Sequence, residues 1–538
     1  MRLIHTTTLD FHEFFSDIPE YAILSHTWGE DEVSFQNMSS PDRSQKKGYS
    51  KIVQTCDLAC QNGIEYAWVD TCCINKTSSA ELTESINSMF QWYQDAVVCY
   101  AFLDDLSPQV TVEQGLSSCR WLTRGWTLQE LLAPKSLIFF DSERNKRGTK
   151  LEYADIISKA TGIPKDVILG ETPLTDCSVA QKMSWAASRK TTRSEDGAYC
   201  LLGIFDVNMP LIYGEGRKAF RRLQEEIIKH RSDLTVLAWD CKPNEGKAVR
   251  LFAKSASAFA NSSHIQPFSD DFENFSVTNK GLLVSGSVPM RIASVTKPDG
   301  TQSLRYVLLL GFDASCNSPT SRGIFLRKVS PGLFYRDAKF PLANFNLEEI
   351  QRLRKIFVIN YYIFIDGDII RRNSFYIFRR ETIHVPAADN FQLIDAVPES
   401  LWDHSDQVFL RPAPYKFSAY PMVLAMLFQG SIEGQIIHIV VLCDYDRRDA
   451  PKCKIFNRAA HHRQAAVIFT GRQKTESILW ADFRLQFPEL SNLTHTTVIS
   501  VGNQIRRVSV ALEKGSMETL PRNKQCFRVK VNVDNLPT

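Results

Sequence analysis

The stretch WTLQELLAP (126–134) contains one acidic residue, Glu130, which is a candidate for a catalytic carboxylate. Glu130 precedes a Leu-Leu pair on a short helix that is predicted to begin at Trp126. An ionised carboxylate can stabilise positive charge that develops on a substrate. A structural interpretation stands beside this one, because Thr127-x-x-Glu130 matches a capping box. Trp126 and Leu131 have the spacing of its hydrophobic staple, so the spacing by itself leaves both interpretations open.

Polar side chains also follow three predicted strands. Ligands of an open parallel sheet bind beyond the carboxyl ends of its strands. We therefore expect these polar groups and Glu130 to line one rim, where neighbouring carboxylates would raise the pKa of one of them. The strand-end residues are Ser25, His26, Thr27 and Trp28 after the first strand, Asp70 and Thr71 after the second, and Asp104 and Asp105 after the third.

Each strand-end residue has a structural alternative. Ser25 and Thr27 satisfy backbone groups in that case, and His26 is a hydrogen-bonded, half-buried histidine. Asp70 caps the turn that follows it, and Trp28 belongs to the core, as Trp68 also does. The residue types do not decide between the two sets of roles.

Strands and helices alternate in the N-terminal part of the chain. This alternation predicts an α/β domain with right-handed crossovers and a mainly parallel sheet flanked by helices. Ser78-x-x-Glu81 is read as a capping box, and Gly63 as a helix stop. The predicted strands cover 21–29, 66–72, 97–105 and 136–141, and the predicted helices cover 49–63, 78–96, 178–188, 194–203 and 215–230.

The chain changes character near residue 240. Seven of the nine tryptophans and nine of the thirteen cysteines lie at or before Cys241. From 250 to 538, short strand-like runs are separated by Gly, Asn, Asp or Pro, which predicts a β-rich region, a sandwich or barrel. Only 347–356 and a piece near 418–428 look helical, and the basic stretch 446–463, with its paired histidines, is read as a solvated loop.

Composition excludes several classes of partner. A net charge of +3 is too balanced to predict nucleic acid as a partner. No apolar run approaches the ~20 residues that cross a bilayer, and we read no secretory signal at the start.

The thirteen cysteines contain no CxxC pair, which predicts free, mostly buried thiols in a reducing compartment, the cytoplasm. Cys72 and Cys73 are read as core residues, and no metal is expected.

Several long motifs in the N-terminal part occur in the order known from one family. YAILSHTWG, WVDTCCIN, ESINSMFQWYQDA, RGWTLQELLAP and EDGAYCLLGIFDVNMPLIYGEG together resemble the fungal heterokaryon incompatibility (HET) domain. The resemblance covers about 20–230, so we expect a HET domain over 1–240 and a separate β-rich region over 250–538. It implies an effector of self/non-self recognition that triggers programmed cell death. The chain has neither the P-loop nor the WD-type repeats of some family members.

HET domains are regarded as distant relatives of Toll/interleukin-1 receptor (TIR) domains, which implies a TIR- or flavodoxin-like fold. Many NAD-cleaving TIR domains carry a Trp-Cys-x-x-Glu-Leu motif whose glutamate is catalytic. Trp126 to Leu131 has the same frame, with Thr127 in place of the cysteine, so the resemblance implies that Glu130 is the catalytic residue. NAD would be substrate and not cofactor. The substrate-binding residues implied with it are Ser25, His26, Trp28, Asp70, Trp126 and Arg193.

Three functional hypotheses follow from these features. The first is a cell-death effector that acts as an NAD glycohydrolase after assembly. The second is a non-catalytic module that signals by self-association or by binding a partner protein, as many TIR domains do. The third is a hydrolase that uses Cys72 or Cys73 with His26.

Arg193 also has a structural alternative. In that case it belongs to a group of residues that cap a helix and fix the turn at Gly214 and Gly216.

Overall fold

The computed structural model describes residues 1–241 without a break and most of 250–535. The chain forms two compact units. The first comprises Met1–Cys241, Phe252–Phe272 and Leu310–Arg322, and the second comprises Lys242–Leu251, Glu273–Leu309 and Gly323–Thr538. The residues outside the description are 242–249, 269–273, 286–289, 297–299, 301, 316–319, 339, 357–359, 366–381, 387–390, 411–421, 446–450, 471–479, 491, 502–503, 516–525 and 536–538.

A mixed sheet forms the centre of the first unit. Its four middle strands run parallel, and antiparallel strands complete it at both edges. The parallel strands are apolar runs buried on both faces, which is typical of strands covered by helices. Across the sheet the order is Phe11–Glu13, Arg2–His5, Tyr66–Trp68, Tyr21–His26, Val98–Phe102, Leu137–Phe140 and Lys146–Thr149.

Helices connect and cover these strands. The predicted helix over 49–63 is confirmed as Tyr49–Gln61, and Gly63 follows it with a φ of +72°. Ser78 accepts a hydrogen bond from the Glu81 amide as predicted, but the Glu81 carboxylate binds elsewhere, so the capping box is only half formed. The α-helices are Phe35–Met38, Tyr49–Gln61, Asp70–Cys73, Ser79–Asp95, Val112–Gly115, Arg120–Thr123, Thr127–Leu132, Ala154–Thr161, Lys165–Leu169, Val179–Trp185, Asp196–Tyr199, Leu202–Phe205 and Lys218–His230.

The second unit is rich in β-structure, which confirms the predicted class of this region. A large sheet contains Arg354–Ile356, Met290–Thr296, Gln302–Asp313, Thr320–Ser330, Leu333–Arg336, Tyr361–Ile363, Gly281–Ser285 and Asn274–Thr278 in that order, with Ala343–Asn346 paired to Thr320–Ser330. Residues 310–313 and 320–322 of these strands are counted with the first unit. A second contains Trp402–Asp403, Val408–Phe409, Ile383–His384, Cys526–Asn535, Gln504–Gly515 and Thr496–Val501. A third contains Phe391–Val397, Met422–Ile432, Gln435–Tyr445 and Lys452–Asn457, and the α-helices described here are Leu347–Arg352, His462–Thr470 and Trp480–Gln486.

The helix predicted near 418–428 is wrong. Residues 422–432 form a strand, and 418–421 lie outside the described residues. Leu424, Met426 and Phe428 face one apolar core, whereas Val423 and Leu427 face another. Because both faces are buried, the strand is a continuous apolar run. It lacks the alternation of apolar and polar residues that identifies a half-buried strand.

Three smaller expectations for the second unit also need correction. The helix over 347–356 ends at Arg352, and Arg354–Ile356 is a strand. The stretch 446–463 is not a loop throughout, because 452–457 form a strand and a helix begins at His462. Cys443 and Cys453 form a disulfide across two neighbouring strands, so these two thiols are not free. Within the described part of the chain, we find no helix that is both long and apolar enough to cross a membrane.

Candidate functional site

Two elements of the first unit bring Ser25 and Glu130 together. Ser25 is fully buried near the end of the Tyr21–His26 strand, and its hydroxyl donates a hydrogen bond of 2.5 Å to Oε2 of Glu130. The indole Nε1 of Trp121 donates to the Ser25 hydroxyl over 2.7 Å. The three side chains therefore form a buried chain of hydrogen bonds at the carboxyl end of a central parallel strand.

Glu130 does not cap its own helix. The helix begins at Thr127, and its N-cap residue Trp126 is helical and makes no side-chain capping bond. The Thr127 hydroxyl donates to the backbone carbonyls of Trp121 and Arg124, so it does not bind the N3 amide of a capping box. The structural interpretation of Thr127-x-x-Glu130 as a capping box is therefore wrong, and the carboxyl group points across to another element.

Burial keeps the Glu130 carboxyl group protonated near neutral pH. The side chain is 7% exposed, and its loss of water raises the pKa to about 8. The hydrogen bond from Ser25 opposes this rise, the charge of Asp70 adds to it, and the cations of Arg189 and Arg124 oppose it. The carboxyl group can thus be a proton donor in this state and a carboxylate only at higher pH or in a more open state.

Arg189 is a charged neighbour that sequence reasoning missed. One guanidinium nitrogen, Nη1, donates to the carbonyl of Arg124 and to the hydroxyl of Thr127, each over 3.0 Å. The other, Nη2, is buried and has no hydrogen-bond partner among the described residues. Burial lowers the Arg189 pKa to about 10. Arg189 lies in the polar run SRKTTRSED, which shows no periodicity, so only the fold identifies it as a neighbour of Glu130.

A second group of predicted residues meets beside the same strand end. Trp28 Nε1 donates to Asp70 Oδ2 over 2.8 Å, and the Lys76 ammonium lies 3.6 Å from the centre of the indole ring. Trp28 is 47% exposed, so its interpretation as a core residue is wrong, whereas Trp68 is in the core. Asp70 is the first residue of the Asp70–Cys73 helix and makes no cap there.

His26 is buried but not hydrogen-bonded. Its Nε2 lies 3.8 Å from Asp70 Oδ1, which is too long for a hydrogen bond. Neither ring nitrogen has a partner among the residues that the structure describes. Burial lowers the His26 pKa, although the charge of Asp70 opposes this, so the imidazole is neutral at pH 7. The expectation of a satisfied, half-buried histidine is therefore wrong.

Comparison with known proteins identifies the N-terminal motifs. The family model "Heterokaryon incompatibility protein (HET)" matches residues 21–115. Vegetative incompatibility protein HET-E-1 of Podospora anserina is 49% identical over 222 residues, which cover 39% of this chain. The first unit contains a HET domain. This match spans only 16% of the length of the Podospora protein, and no solved structure matches the chain.

The EDGAY and YGEG motifs of the HET domain contact each other. Oε1 of Glu195 accepts hydrogen bonds from the amides of Gly214 at 2.8 Å and Gly216 at 3.0 Å. Both glycines have positive φ, at +101° and +61°, which side chains other than glycine rarely adopt. The Glu195 carboxylate therefore holds the turn at Gly214 and Gly216, and we call this contact the clamp. It favours the structural alternative for this part of the sequence.

Arg193 and Trp126 both lie beside this clamp. The Arg193 guanidinium lies 4.6 Å from the centre of the Tyr213 ring, and the Tyr213 hydroxyl donates to Asp196 over 2.9 Å. The Trp126 indole opposes the rise that burial causes in the pKa of Asp196. The described contacts of Arg193 are thus with the clamp and not with the Ser25–Glu130 pair. Of the predicted substrate-binding residues, Ser25 touches Glu130, while His26, Trp28 and Asp70 form the neighbouring group.

The remaining acids and thiols of the HET domain are less suited to chemistry. Asp104 does not join a cluster of like charges, because Lys51 and Arg144 bind it and their cations lower its pKa against the effect of burial. Cys72 is fully buried, and burial raises its pKa well above the ordinary value, which disfavours a reactive thiolate. Across the described residues, we find no cluster of three or more His, Cys, Asp or Glu side chains that could hold a metal ion.

Proposed function

We propose that this HET domain is the effector of a fungal vegetative incompatibility response, and that it triggers programmed cell death in the cytoplasm by cleaving NAD at Glu130. The name of the Podospora relative supports the incompatibility role. The chemical part depends on the position of the Glu130 carboxyl group. This group does not cap its own helix, and it accepts a hydrogen bond from Ser25 at a strand end.

The strand order supports a TIR- or flavodoxin-like arrangement. Numbered along the chain, the four parallel strands lie in the order 2-1-3-4 across the sheet. Flavodoxin-like sheets share this order, and they bind ligands where it reverses, between the first and third strands. The first of these strands carries Ser25, so Glu130 and Ser25 stand at the position that this rule selects.

Cleavage of the bond between nicotinamide and ribose passes through an oxocarbenium-like ribose. One ionised carboxylate can stabilise that charge and orient the ribose hydroxyls, as in glycoside hydrolysis. Trp28, which is 47% exposed beside this strand end, is the aromatic residue that we propose for stacking on a base, at the ring face that Lys76 does not cover. Because Glu130 is buried and protonated near neutral pH, we infer that assembly or substrate binding must open its surroundings before it acts.

A release assay tests the chemical part. Purified wild-type protein, alone and under crowding that promotes assembly, is expected to release nicotinamide from NAD, and Glu130→Gln is expected to stop the release. Glu113→Gln, at an exposed glutamate of the same domain, is the matched control and is expected to keep the activity. If Glu130→Gln kills cells as well as the wild type, Glu130 is not the catalytic residue.

The low exposure of Glu130 favours a second candidate, a non-catalytic module that signals by self-association. An exposed apolar residue would then carry the function, and Phe15 is 94% exposed. In that case Phe15→Asp abolishes cell death while Glu130→Gln preserves it. The catalytic proposal expects Glu130→Gln to abolish cell death, so the Glu130 variant separates the two candidates.

A further inference from the structure

A cavity of about 390 Å³ in the second unit is lined by basic side chains. It lies at the start of the His462–Thr470 helix, beside the Gln435–Tyr445 and Lys452–Asn457 strands. The basic stretch with paired histidines therefore contributes to a concave surface. The residues that line the cavity are Gln435, Ile436, Ile437, His438, Asn457, Arg458, Ala459, His462, Ile499 and Ser500.

The backbone brings the basic residues together. The Arg458 amide donates to the carbonyl of His438 over 3.1 Å, which places these two residues side by side at the ends of neighbouring strands. Four residues further on, His462 begins a nine-residue helix. The first amides of a helix have no partner within it and carry partial positive charge, so this end of the helix adds to the positive charge of the wall.

Among the described residues that line the cavity, we find no carboxylate. Glu433, which precedes the Gln435–Tyr445 strand, is ion-paired with Arg506. Glu489 accepts a hydrogen bond from Gln464, on the same helix as His462. Among the described residues, we find no hydrogen bond from the side chains of His438, Arg458 or His462.

The positive charges in this wall repel one another. Burial lowers the pKa of His438, and the charge of Arg458 lowers it further. A bound anion would relieve this repulsion and would favour the protonated imidazole. Asn457 adds a donor that is not a cation, because its carbonyl oxygen accepts from the Ala459 amide and its amide nitrogen has no described partner.

We propose that this cavity binds a small phosphorylated molecule, with its phosphate held by Arg458, His438 and the first turn of the His462 helix. The apolar wall favours a ligand with an organic part over bare phosphate, since Ile436 is 62% exposed beside the basic residues. The volume is within the range of small-molecule sites, ~300–1,000 Å³. The proposal concerns the second unit and does not depend on the function proposed for the HET domain.

The full chain is titrated with phenyl phosphate, phenol and inorganic phosphate at pH 6 by calorimetry. We expect phenyl phosphate to bind more tightly than inorganic phosphate and phenol not to bind. Arg458→Gln should weaken the binding of phenyl phosphate by about 10-fold, because charge-assisted bonds to phosphate are strong. Arg484→Gln makes the same change of charge at an exposed residue of the Trp480–Gln486 helix, which does not line the cavity, and should change the affinity by less than about 2-fold.

His438→Gln gives a second variant if Arg458→Gln does not fold, and NMR titration of the His438 ring gives a readout besides affinity. We expect phenyl phosphate to raise the pKa of His438 in the wild type. The proposal is wrong if phenyl phosphate does not bind, or if Arg484→Gln weakens binding as much as Arg458→Gln does. An unchanged pKa of His438 on binding, or binding of an oligonucleotide in place of phenyl phosphate, also contradicts it.

Discussion

Glu130 is held in place by residues that are distant in the chain. Ser25 donates to it from a strand end, Trp121 fixes the Ser25 hydroxyl, and Arg189 approaches the first turn of the Glu130 helix from a later segment. Its hydrogen-bond donor is Ser25, on another element, and the first turn of its own helix has no side-chain capping bond. This is why spacing within WTLQELLAP could not decide its role, although the position of Ser25 at a strand end was predictable.

The raised pKa of Glu130 makes the stability of the protein depend on pH. Below its ordinary pKa of 4.5, the group is protonated in both the folded and the unfolded chain. Between 4.5 and about 8, the unfolded chain releases this proton and the folded chain keeps it, so the free energy of unfolding falls as pH rises. Glu130→Gln should remove this loss and be more stable than the wild type at pH 7.5, by on the order of 3 kcal/mol.

Urea unfolding of both proteins at pH 4.5 and pH 7.5 measures this difference. The two proteins should lie much closer in stability at pH 4.5, where the wild-type group is protonated when folded and about half protonated when unfolded. Glu113→Gln should follow the wild type at both pH values. A Glu130→Gln variant that is less stable than the wild type at pH 7.5 would show that the carboxyl group is ionised and paired in the folded state.

At the scale of elements, a close contact between two helices holds part of the HET domain together. A Cβ atom on Gly203 would lie 2.0 Å from the Cβ of Phe90, on the Ser79–Asp95 helix. Gly203→Ala must therefore push the Leu202–Phe205 helix away, at a cost of about 1–3 kcal/mol. Gly197→Ala is the matched control, because the nearest atom to its Cβ is Thr191 Oγ1 at 3.8 Å. Thermal unfolding should show a lower midpoint for Gly203→Ala alone, and equal midpoints would contradict the packing.

The elements that could be predicted are those whose hydrophobic pattern shows a single buried face. The Tyr49–Gln61 and Ser79–Asp95 helices each bury one stripe, and the sequence indicated the Gly63 stop of the first and the Ser78 cap of the second. The Met422–Ile432 strand buries both faces and was predicted as a helix. The Asp196–Tyr199 and Leu202–Phe205 helices were predicted as one, because the Cys200–Leu201 step between them contains neither glycine nor proline to mark a break.

At the scale of the whole molecule, the first unit includes residues well beyond the change in composition at residue 240. Segment 252–272 places Phe252, Phe259 and Ile265 in the core. Nothing in its composition marks it as part of the first unit. Segment 252–272 is joined to the first unit by hydrogen bonds between residues far apart in the sequence, and local sequence patterns cannot show such bonds.

These bonds predict where a shortened chain loses stability. Gln224 is fully buried, and its amide group both donates to and accepts from the backbone of Ala253, at 3.0 and 2.9 Å. The Ser178 hydroxyl donates to Ile265 over 2.6 Å. A chain that ends at residue 241 loses both hydrogen bonds between Gln224 and Ala253, and each lost intramolecular hydrogen bond costs about 0.5–1.5 kcal/mol net. It also exposes the apolar surface that segment 252–272 covers.

A chain of residues 1–272 should therefore unfold at a higher temperature than a chain of residues 1–241, as calorimetry can measure. Gln224→Leu separates the two causes of this difference, because it removes the polar group but keeps the apolar surface. In the shorter chain this substitution should change the midpoint little, since Ala253 is absent and the amide keeps its bond to the carbonyl of Phe220. In the longer chain it should lower the midpoint, since it leaves the Ala253 backbone unpaired. Equal midpoints for the two parent chains would show that segment 252–272 contributes nothing to the stability of the HET domain, and the boundary at 240 would then be the physical one.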